Sequence, residues 1–287
     1  MKAIDICYPC LCRLAKQAAT LATDDERLRA TAIEAGLKIV DDNFFPDTLT
    51  LDIATKIHRE VKSITGNPDP YRRMKDGEMR LSCELISDVA ALYPKNFKGY
   101  LALSAVGNSI DFFRGLDDIR KDMKSPLTFL VNESASFEER LARARSVLFL
   151  ADNAGEVYFD VPLVKHLECY APVTYVVKGA PVQNDATLHD LMIAGLDGQL
   201  SRVITTGIAT PGVIYSAASD EFKRAYETAD LVLAKGMGYY EGLSELPADD
   251  RVLFCTMAKC QPVADSLGVP LHSYVAMFRQ ARKCWRT

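Results

Sequence analysis

The sequence predicts an α/β protein, in which a Rossmann-like, doubly wound, mostly parallel sheet is preceded by an α-helical N-terminal region. In the first half, apolar residues recur at the spacing of amphipathic helices. In the second half, short runs rich in Val and Ile each precede a turn and a longer amphipathic stretch, as in βαβ units. We therefore predict a helical region over residues 1–140 and an α/β core over residues 141–287, packed as one unit because no Pro-, Ser- or Gly-rich linker divides them.

The N-terminal region is predicted to be a series of helices. The first has an apolar stripe made by Leu11, Leu14, Ala15, Ala18 and Ala22. A capping-box pattern at Thr23 and Glu26 predicts the start of the second helix, and Gly66 with Pro68 predicts the end of the third. Further helices are predicted over residues 78–92 and 97–113. A second capping box, Ser136 with Glu139, predicts one more short helix.

The C-terminal region is predicted to contribute five buried parallel strands, because each run is short, apolar and bounded by turn residues. The runs are residues 147–151, 173–177, 202–205, 231–234 and 252–255. Ligands of open α/β sheets bind beyond the carboxyl ends of the strands. The residues that follow each run are therefore the first candidates for a functional site.

Composition and charge exclude several classes of function. The chain has 287 residues and a formal net charge of −4, so it lacks the positive charge that nucleic-acid binding requires. No apolar run approaches the roughly 18 residues of a membrane span, and the first residues lack a secretion signal. We expect a cytoplasmic protein with no membrane contact and no obligate protein partner. Its 8 cysteines are then expected to be thiols or metal ligands.

Carboxylates, amides and lysines follow the predicted strands. Asp152 and Asn153 follow the first run, Asp185 follows the second, and Lys235 and Lys259 follow the fourth and fifth. Carboxylate and amide oxygens are the ligands that Mg²⁺, Mn²⁺ and similar ions prefer. Lysines can offset the charge of a phosphate group. The pattern predicts a divalent metal held by Asp152, Asn153 and Asp185, with a phosphate bound beside it.

Each of these segments has a simpler interpretation when it is taken alone. Residues 152–156 and 184–187 can each be a turn followed by a helix cap, and a single Lys is usually a solvated surface residue. The glycines at 236, 238 and 242 depart from the spacing of a nucleotide-binding turn, which makes that signal weak. The occurrence of four such segments at successive strand ends favours a functional site.

Together the segments resemble the damage-control phosphatase family, first defined as domain of unknown function 89. The motifs that carry the resemblance are Gly107-Asn108-Ser109-Ile110-Asp111, Asp152-Asn153-Ala154-Gly155-Glu156, Asn184-Asp185-Ala186-Thr187, Lys235-Gly236-Met237-Gly238 with Glu241, and Lys259-Cys260. Cys7-x-x-Cys10 is similar to the N-terminus of the short, stand-alone microbial members. The resemblance spans nearly the whole chain and departs from the family pattern at Tyr239, where Asn is expected.

The resemblance implies a divalent-metal-dependent phosphatase that hydrolyses phosphomonoesters of small metabolites, either sugar phosphates or damaged phosphometabolites, with Mn²⁺, Co²⁺, Ni²⁺ or Mg²⁺. It implies catalytic roles for Asp152, Asp185 and Lys235, and metal binding by Asp152, Asn153 and Asp185. The implied substrate- and phosphate-binding residues are Asn108, Asp111, Glu156, Asn184, Lys235, Glu241 and Lys259.

Several alternatives stay open at this point. Attack on phosphorus by water and attack by an Asp carboxylate both fit the residues. An S-adenosylmethionine-dependent methyltransferase would need a glycine turn after the first strand and an acidic residue after the second, where this chain has Asp152 and Lys178. A non-catalytic phosphometabolite- or metal-binding protein on the same scaffold is a third possibility.

The N-terminal cysteines also allow more than one interpretation. Cys7 and Cys10 would share one face of a helix, so they can belong to a buried helical face, a redox pair or a second metal site. A structural metal usually takes four ligands, so further donors would be needed. Cys12 and Cys83 are candidates for them.

Overall fold

The computed structural model describes residues 1–109 and 126–278. Within these residues the chain forms eleven α-helices and one seven-stranded sheet. The helices are α1 Cys7–Ala22, α2 Glu26–Asn43, α3 Thr50–Thr65, α4 Arg72–Ala90, α5 Phe97–Val106, α6 Ser134–Leu141, α7 Val157–Glu168, α8 Leu188–Ala194, α9 Asp220–Thr228, α10 Met237–Leu243 and α11 Gln261–Leu267. The strands are β1 Val131–Asn132, β2 Val147–Leu150, β3 Val173–Val177, β4 Val203–Thr205, β5 Leu231–Lys235, β6 Val252–Met257 and β7 Tyr274–Phe278.

The sheet confirms the predicted α/β fold class, and the five predicted strands are β2 to β6. The strand order is β1-β7-β6-β5-β2-β3-β4. Neighbouring strands from β4 to β6 are parallel, whereas β7 is antiparallel to β6 and β1 is parallel to β7. The order reverses between β2 and β5, because the chain first winds outward to β3 and β4 and then returns. The carboxyl ends of β2 and β5 therefore form the topological switch point, where ligands of such sheets bind.

Apolar side chains cover both faces of the sheet. One core cluster contains Phe149 and Tyr175 and packs against Phe159 of α7. The cluster on the opposite face contains Leu150 and Phe254 and includes side chains of α9, α10 and α11. This two-sided burial explains why the strands are continuous apolar runs rather than alternating ones.

The first three helices form a bundle with an apolar core of its own, in which Ala15 and Ile57 are fully buried. One face of α3 contacts the loops that follow β3 and β4. Thr55 Oγ1 donates to Thr210 Oγ1 (3.1 Å), and Lys62 Nζ donates to the carbonyl oxygen of Pro181. The bundle therefore lies over the carboxyl edge of the sheet. Across the described residues, no helix combines the length and the apolar character that crossing a membrane requires.

Two of the predicted helix caps were wrong. The side chain of Asp25 caps α2 by accepting from the backbone N–H groups of Arg27 and Leu28, because it directly precedes the first helical residue. Thr23 instead accepts from the backbone of Asp25 through its Oγ1 (3.1 Å). Ser136 lies inside α6, which begins at Ser134 without a side-chain cap.

Some boundaries also differ from the prediction. α4 begins at Arg72, six residues before the predicted start, and α5 ends at Val106 in a 3₁₀ turn, Gly107–Ser109. The rest of the helix predicted to residue 113 lies outside the described residues. β1 and β7 were not predicted. Because β1 belongs to the sheet, the first strand lies before the predicted boundary at residue 140, and the division into two regions stays a prediction.

Candidate active site

Backbone hydrogen bonds connect the loop after β2 to the loop after β3. Ala186 N donates to the carbonyl oxygen of Asp152 (2.8 Å), and Ala154 N donates to that of Asn184 (2.8 Å). Asn153 and Asp185 form an antiparallel β-bridge. The three predicted metal ligands Asp152, Asn153 and Asp185, called the acidic site below, are therefore adjacent.

A residue from the helical half reaches the acidic site. Asn108, in the 3₁₀ turn after α5, donates from Nδ2 to Asp152 Oδ2 (2.9 Å) and to Glu156 Oε1 (2.6 Å). Asn153 Nδ2 donates to the same oxygen of Glu156 (2.6 Å). Glu156 thus fixes the side chains of both asparagines, and Asn108 orients the Asp152 carboxyl group. Asp111, the other residue predicted from this motif, lies outside the described residues.

Gly236 makes the other close contact with Asp152. It follows β5, has a φ of +83°, and a Cβ added to it would stand 2.1 Å from Asp152 Cγ. Only glycine can occupy this position without displacing the carboxyl group.

The two carboxyl groups of the acidic site lie in an environment with too little positive charge. Burial, and then Glu156 and Asp185, raise the pKa of Asp152 to about 8, although Lys259 and Lys178 oppose the change. Burial, with a contribution from Glu156, raises the pKa of Asp185 to about 6 against the opposing effect of Lys178. A bound cation would relieve this excess of negative charge.

The donor set itself fits a hard divalent cation, since it consists of two carboxylates and one amide oxygen. Asp185 Oδ2 is buried and accepts no hydrogen bond from any residue that the structure describes. No group of three His, Cys, Asp or Glu side chains in residues 1–109 and 126–278 is arranged to hold a metal ion. The candidate site therefore depends on the amide of Asn153 as its third protein ligand.

Lys235 already has two acidic partners. Its Nζ contacts Asp160 Oδ1 and lies 2.7 Å from Glu156 Oε2, and all three side chains are buried. Burial would lower the pKa of Lys235, but Asp160 and Glu156 raise it above its ordinary value. Asp160 also accepts from Ser104 Oγ and Tyr175 Oη, both at 2.7 Å. The predicted contact of Lys235 with phosphate would have to compete with these carboxylates.

Sequence reasoning did not select Lys178, which forms an ion pair with Asp185. Its Nζ donates to Gly212 O (2.6 Å), lies 3.6 Å from Asp185 Oδ2, and stands 3.7 Å from the centroid of the Tyr239 ring. Tyr239 is fully buried. The one departure from the family pattern is therefore beside the acidic site, in contact with Lys178.

The remaining predicted binding residues differ in how they lie relative to the acidic site. Lys259 is exposed. Its charge opposes the rise in the pKa of Asp152, which indicates that Lys259 is near the acidic site. Asn184 donates from Nδ2 to Glu78 Oε2 on α4 (3.0 Å), so its side chain faces the helical half. The carbonyl oxygen of Glu241 accepts from the backbone nitrogen of Met1, and a role for its side chain in the site stays a prediction.

A very small cavity, with room for about one water molecule, lies on the side of β6 and β7. It shares Asn108, Glu156, Lys235 and Gly236 with the surroundings of the acidic site, and Thr256 and Tyr274 extend it. Asn108 Oδ1, at its edge, is buried without a hydrogen-bond partner in the described chain. The site thus combines carboxylates, unpaired polar atoms and a small space.

Sequence signals for two of the missed residues were present. Asp160 lies four residues after Glu156, which directly precedes α7, and at this spacing both carboxylates can contact one lysine. Lys178 directly follows β3, at the same sheet edge as Asp152.

Comparisons with known proteins agree over nearly the whole chain. A family model described as the damage-control phosphatase ARMT1-like domain matches residues 3–275. The chain is 34% identical to a damage-control phosphatase of Archaeoglobus fulgidus, covering 96% of this chain and 99% of that one. It is 31% identical to a damage-control phosphatase of Pyrococcus horikoshii (94% and 96%) and 32% identical to an uncharacterised protein of Methanocaldococcus jannaschii (95% and 94%). The crystal structure of a DUF89 family protein from P. horikoshii superimposes with a TM-score of 0.89 at 30% identity, covering 98% of this chain and 100% of that one.

Proposed function

Because the chain belongs to the damage-control phosphatase ARMT1-like family, we propose that it is a divalent-metal-dependent phosphatase that hydrolyses phosphomonoesters of small metabolites. Membership of the family supports phosphatase activity. The dependence on a divalent metal and the class of substrate are what we propose in addition. The observation that carries it is the backbone pairing of Asn153 with Asp185, which assembles the acidic site at the switch point of the sheet.

Asp152, Asn153 and Asp185 would hold the metal, and Mn²⁺, Co²⁺, Ni²⁺ and Mg²⁺ all suit these donors. When bound, such an ion supplies positive charge for the phosphate oxygens and lowers the pKa of water. Asn108 and Gly236 contribute by fixing the Asp152 carboxyl group in one orientation.

The three lysines have different roles in the proposal. Lys259 contacts the phosphate, because it is exposed and close to Asp152. Lys178 balances the charge of Asp185 from within the core. Lys235, which the resemblance assigns to phosphate, pairs with Glu156 and so holds in place the carboxylate that accepts from both asparagines. Positioning and charge stabilisation of this kind are the main requirements of phosphoryl transfer.

We propose that water attacks phosphorus, because Asp152 and Asp185 are both needed to hold the ion. A phosphorylated aspartate trapped by rapid quench would contradict this step. Sugar phosphates and damaged phosphometabolites stay the proposed substrates. The cytoplasmic location and the absence of nucleic-acid and obligate protein partners stay predictions.

The test is phosphate release by chelator-stripped protein from p-nitrophenyl phosphate and a panel of sugar phosphates, with each metal added in turn. We expect metal-dependent release by the wild type and its loss in Asp152→Asn and Asp185→Asn. Asp197→Asn is the matched control, because Asp197 is exposed and remote from the acidic site. Binding of a phosphate ester without turnover would favour the binding protein, and binding of S-adenosylmethionine without any need for metal would favour the methyltransferase.

A further inference from the structure

Asp185 lies in the loop between β3 and α8, and the turn that leads to it is strained. Gln183 has a φ of +45°, in the left-handed region that residues other than glycine rarely adopt. The backbone N–H of Asp185 donates to Val182 O (3.2 Å), which closes this turn. A residue other than glycine stays in such a conformation only when its surroundings hold it there. The position of the Asp185 carboxyl group therefore depends on what holds the loop.

Asp190, in the first turn of α8, holds the part of the loop that follows Asp185. Its Oδ2 accepts from the backbone N–H of Thr187 (2.9 Å) and from Thr187 Oγ1 (2.6 Å). Thr187 Oγ1 in turn accepts from the backbone N–H of Asp190 (3.4 Å), so the two residues form a capping box. The capping box therefore fixes the residue two positions after Asp185.

The Asp190 carboxylate also contacts two cations of α4. Arg72 Nη1 donates to Asp190 Oδ1 (2.6 Å), and Lys75 Nζ donates to Asp190 Oδ2 (3.1 Å). The side chains of Asp190 and Lys75 are 1% and 0% exposed. Burial would raise the pKa of Asp190, but the charge of Lys75 and the other contacts lower it below its ordinary value. Asp190 is therefore a buried carboxylate that ties α8 to the helical half of the chain.

A second contact joins the same loop to α4, on the side that precedes Asp185. Asn184 Nδ2 donates to Glu78 Oε2 (3.0 Å). Glu78 lies three residues after Lys75, so the two side chains are neighbours on the surface of α4. The helix α4 therefore holds the loop on both sides of Asp185, and on the far side it does so through Asp190.

A helix cap by itself does not need these ion pairs. The helix α8 has only seven residues, and a capping box satisfies its first N–H groups without help from another segment. Burying a carboxylate with a lysine and an arginine adds little stability, because the cost of removing the charges from water offsets their attraction. What the ion pairs add is one defined placement of the loop against α4.

We propose that Asp190 is a positioning residue for the acidic site, because it anchors the loop that carries Asp185 to α4. The proposal rests on the proposed function, in which Asp185 holds the metal. Without the anchor, the strained turn at Gln183 can relax, and the Asp185 carboxyl group then leaves its place beside Asn153, which the β-bridge between the two residues defines. Because Asp190 acts through Asp185, its loss should weaken metal binding, and saturating metal should restore turnover.

The test is the affinity for Mn²⁺ of chelator-stripped full-length protein, measured by calorimetry, together with the dependence of phosphate release on Mn²⁺. Asp190→Asn keeps the size of the side chain and removes its charge. We expect it to raise the Kd for Mn²⁺ by about tenfold, as changes behind metal ligands commonly do, and to leave kcat at saturating Mn²⁺ close to that of the wild type. Asp76→Asn is the matched control, because Asp76 also pairs with Arg72 at 2.6 Å but lies on α4 itself. It should change neither quantity.

A second variant keeps the test independent of whether Asp190→Asn folds. Arg72→Gln removes the partly exposed partner and leaves the buried pair of Asp190 with Lys75. It should raise the Kd for Mn²⁺ in the same direction. In the double variant, the Kd should rise by less than the product of the two separate effects, because both substitutions break the same link. Affinities are measured well below the unfolding temperature, where a loss of stability alone does not change them.

The outcomes separate this proposal from the proposed function. Equal affinity for Mn²⁺ in the wild type, Asp190→Asn and Arg72→Gln would overturn the role of Asp190 alone, and so would a kcat that saturating Mn²⁺ does not restore. A wild type that binds Mn²⁺ but releases no phosphate would overturn the phosphatase, and the affinities would still decide on Asp190. A wild type that binds no Mn²⁺ would overturn both.

Discussion

Gly236 and Asp152 are in direct contact across the switch point of the sheet. A Cβ on Gly236 would stand 2.1 Å from Asp152 Cγ, and the φ of +83° at this residue disfavours any other side chain as well. The carboxyl group of the acidic site therefore has its position defined by a glycine backbone on one side and by Asn108 on the other.

The first prediction concerns this contact. Gly236→Ala should abolish metal-dependent phosphate release, because the new methyl group displaces the Asp152 carboxyl group. The overpacking should also lower the free energy of unfolding by about 1–3 kcal/mol. Gly198→Ala is the control, since a Cβ at Gly198 meets nothing within 4 Å and its φ is not positive. Wild-type activity in Gly236→Ala would contradict the proposed site.

The second prediction concerns the buried pairing of Lys235. Lys235→Met leaves Glu156 and Asp160 without their cation, which should destabilise the fold by about 3–5 kcal/mol in urea unfolding. Adding Asp160→Asn should recover part of the loss, because one uncompensated charge is removed. Lys259→Met should instead reduce phosphate release and leave the unfolding transition unchanged. If Lys235→Met unfolds like the wild type, the pairing does not contribute to stability.

The third prediction is that Asp185→Asn stabilises the metal-free fold but removes metal binding. Burial raises the pKa of Asp185 to about 6, so its carboxylate destabilises the metal-free fold at neutral pH. Asp185→Asn should therefore raise the free energy of unfolding of the stripped protein, by about 1–3 kcal/mol. The same variant should lose the rise in melting temperature that Mn²⁺ gives the wild type, because binding to the folded state is what stabilises it. A destabilised, metal-responsive Asp185→Asn would refute both parts.

The fourth prediction concerns pH and His58 on α3. Its two ring nitrogens are buried without hydrogen-bond partners in the described residues, and the Tyr71 ring lies 5.7 Å away. Burial, and then Lys62, lower the pKa of His58 from 6.5 to about 3. Below about pH 6.5, His58 therefore binds a proton in the unfolded chain but not in the folded chain. Its effect on stability is absent above about pH 6.5, and the free energy of unfolding falls as the pH drops towards 3.

The size of this effect follows from the linkage relation. Between about pH 7 and about pH 5, His58 should cost roughly 2 kcal/mol of the free energy of unfolding. His58→Phe should remove this part of the dependence, measured by urea unfolding at both pH values. His189→Asn is the control, because His189 is exposed and should leave the dependence unchanged. An equal pH dependence in His58→Phe and wild type would show that His58 is protonated in the fold.

The parallel strands and the polar residues at their ends could be predicted from the sequence. A strand buried on both faces, such as β2, is an uninterrupted apolar run, and the change to Asp152 marks its end. β1 has only two residues, and β7 has a mixed burial pattern, so neither produces a comparable signal. Their places in the sheet depend on pairing with strands that are distant in the sequence.

The candidate site was predictable where residues follow strands, and less so where they lie on helices. Asp160 lies in the apolar first half of α7, and its partner Lys235 comes 75 residues later in the chain, so the sequence does not show that the two are paired. Glu241 follows the glycine motif closely in sequence, but its backbone meets Met1, which is 240 residues away in the chain. The direction of a side chain such as Lys178 is set by tertiary packing, which spacing alone does not contain.

The strand order also determines when the site can form during folding. β2 lies between β3 and β5, and β5 begins some 80 residues after β2 ends. A nascent chain that lacks residues 231–235 can pair β2 on one side only, and it has no Gly236 to contact Asp152. Contacts of such long sequence separation are slow to form. The chain should therefore bind metal only late, after most of it has left the ribosome. Stabilisation of the chain by metal should then indicate that the sheet is complete.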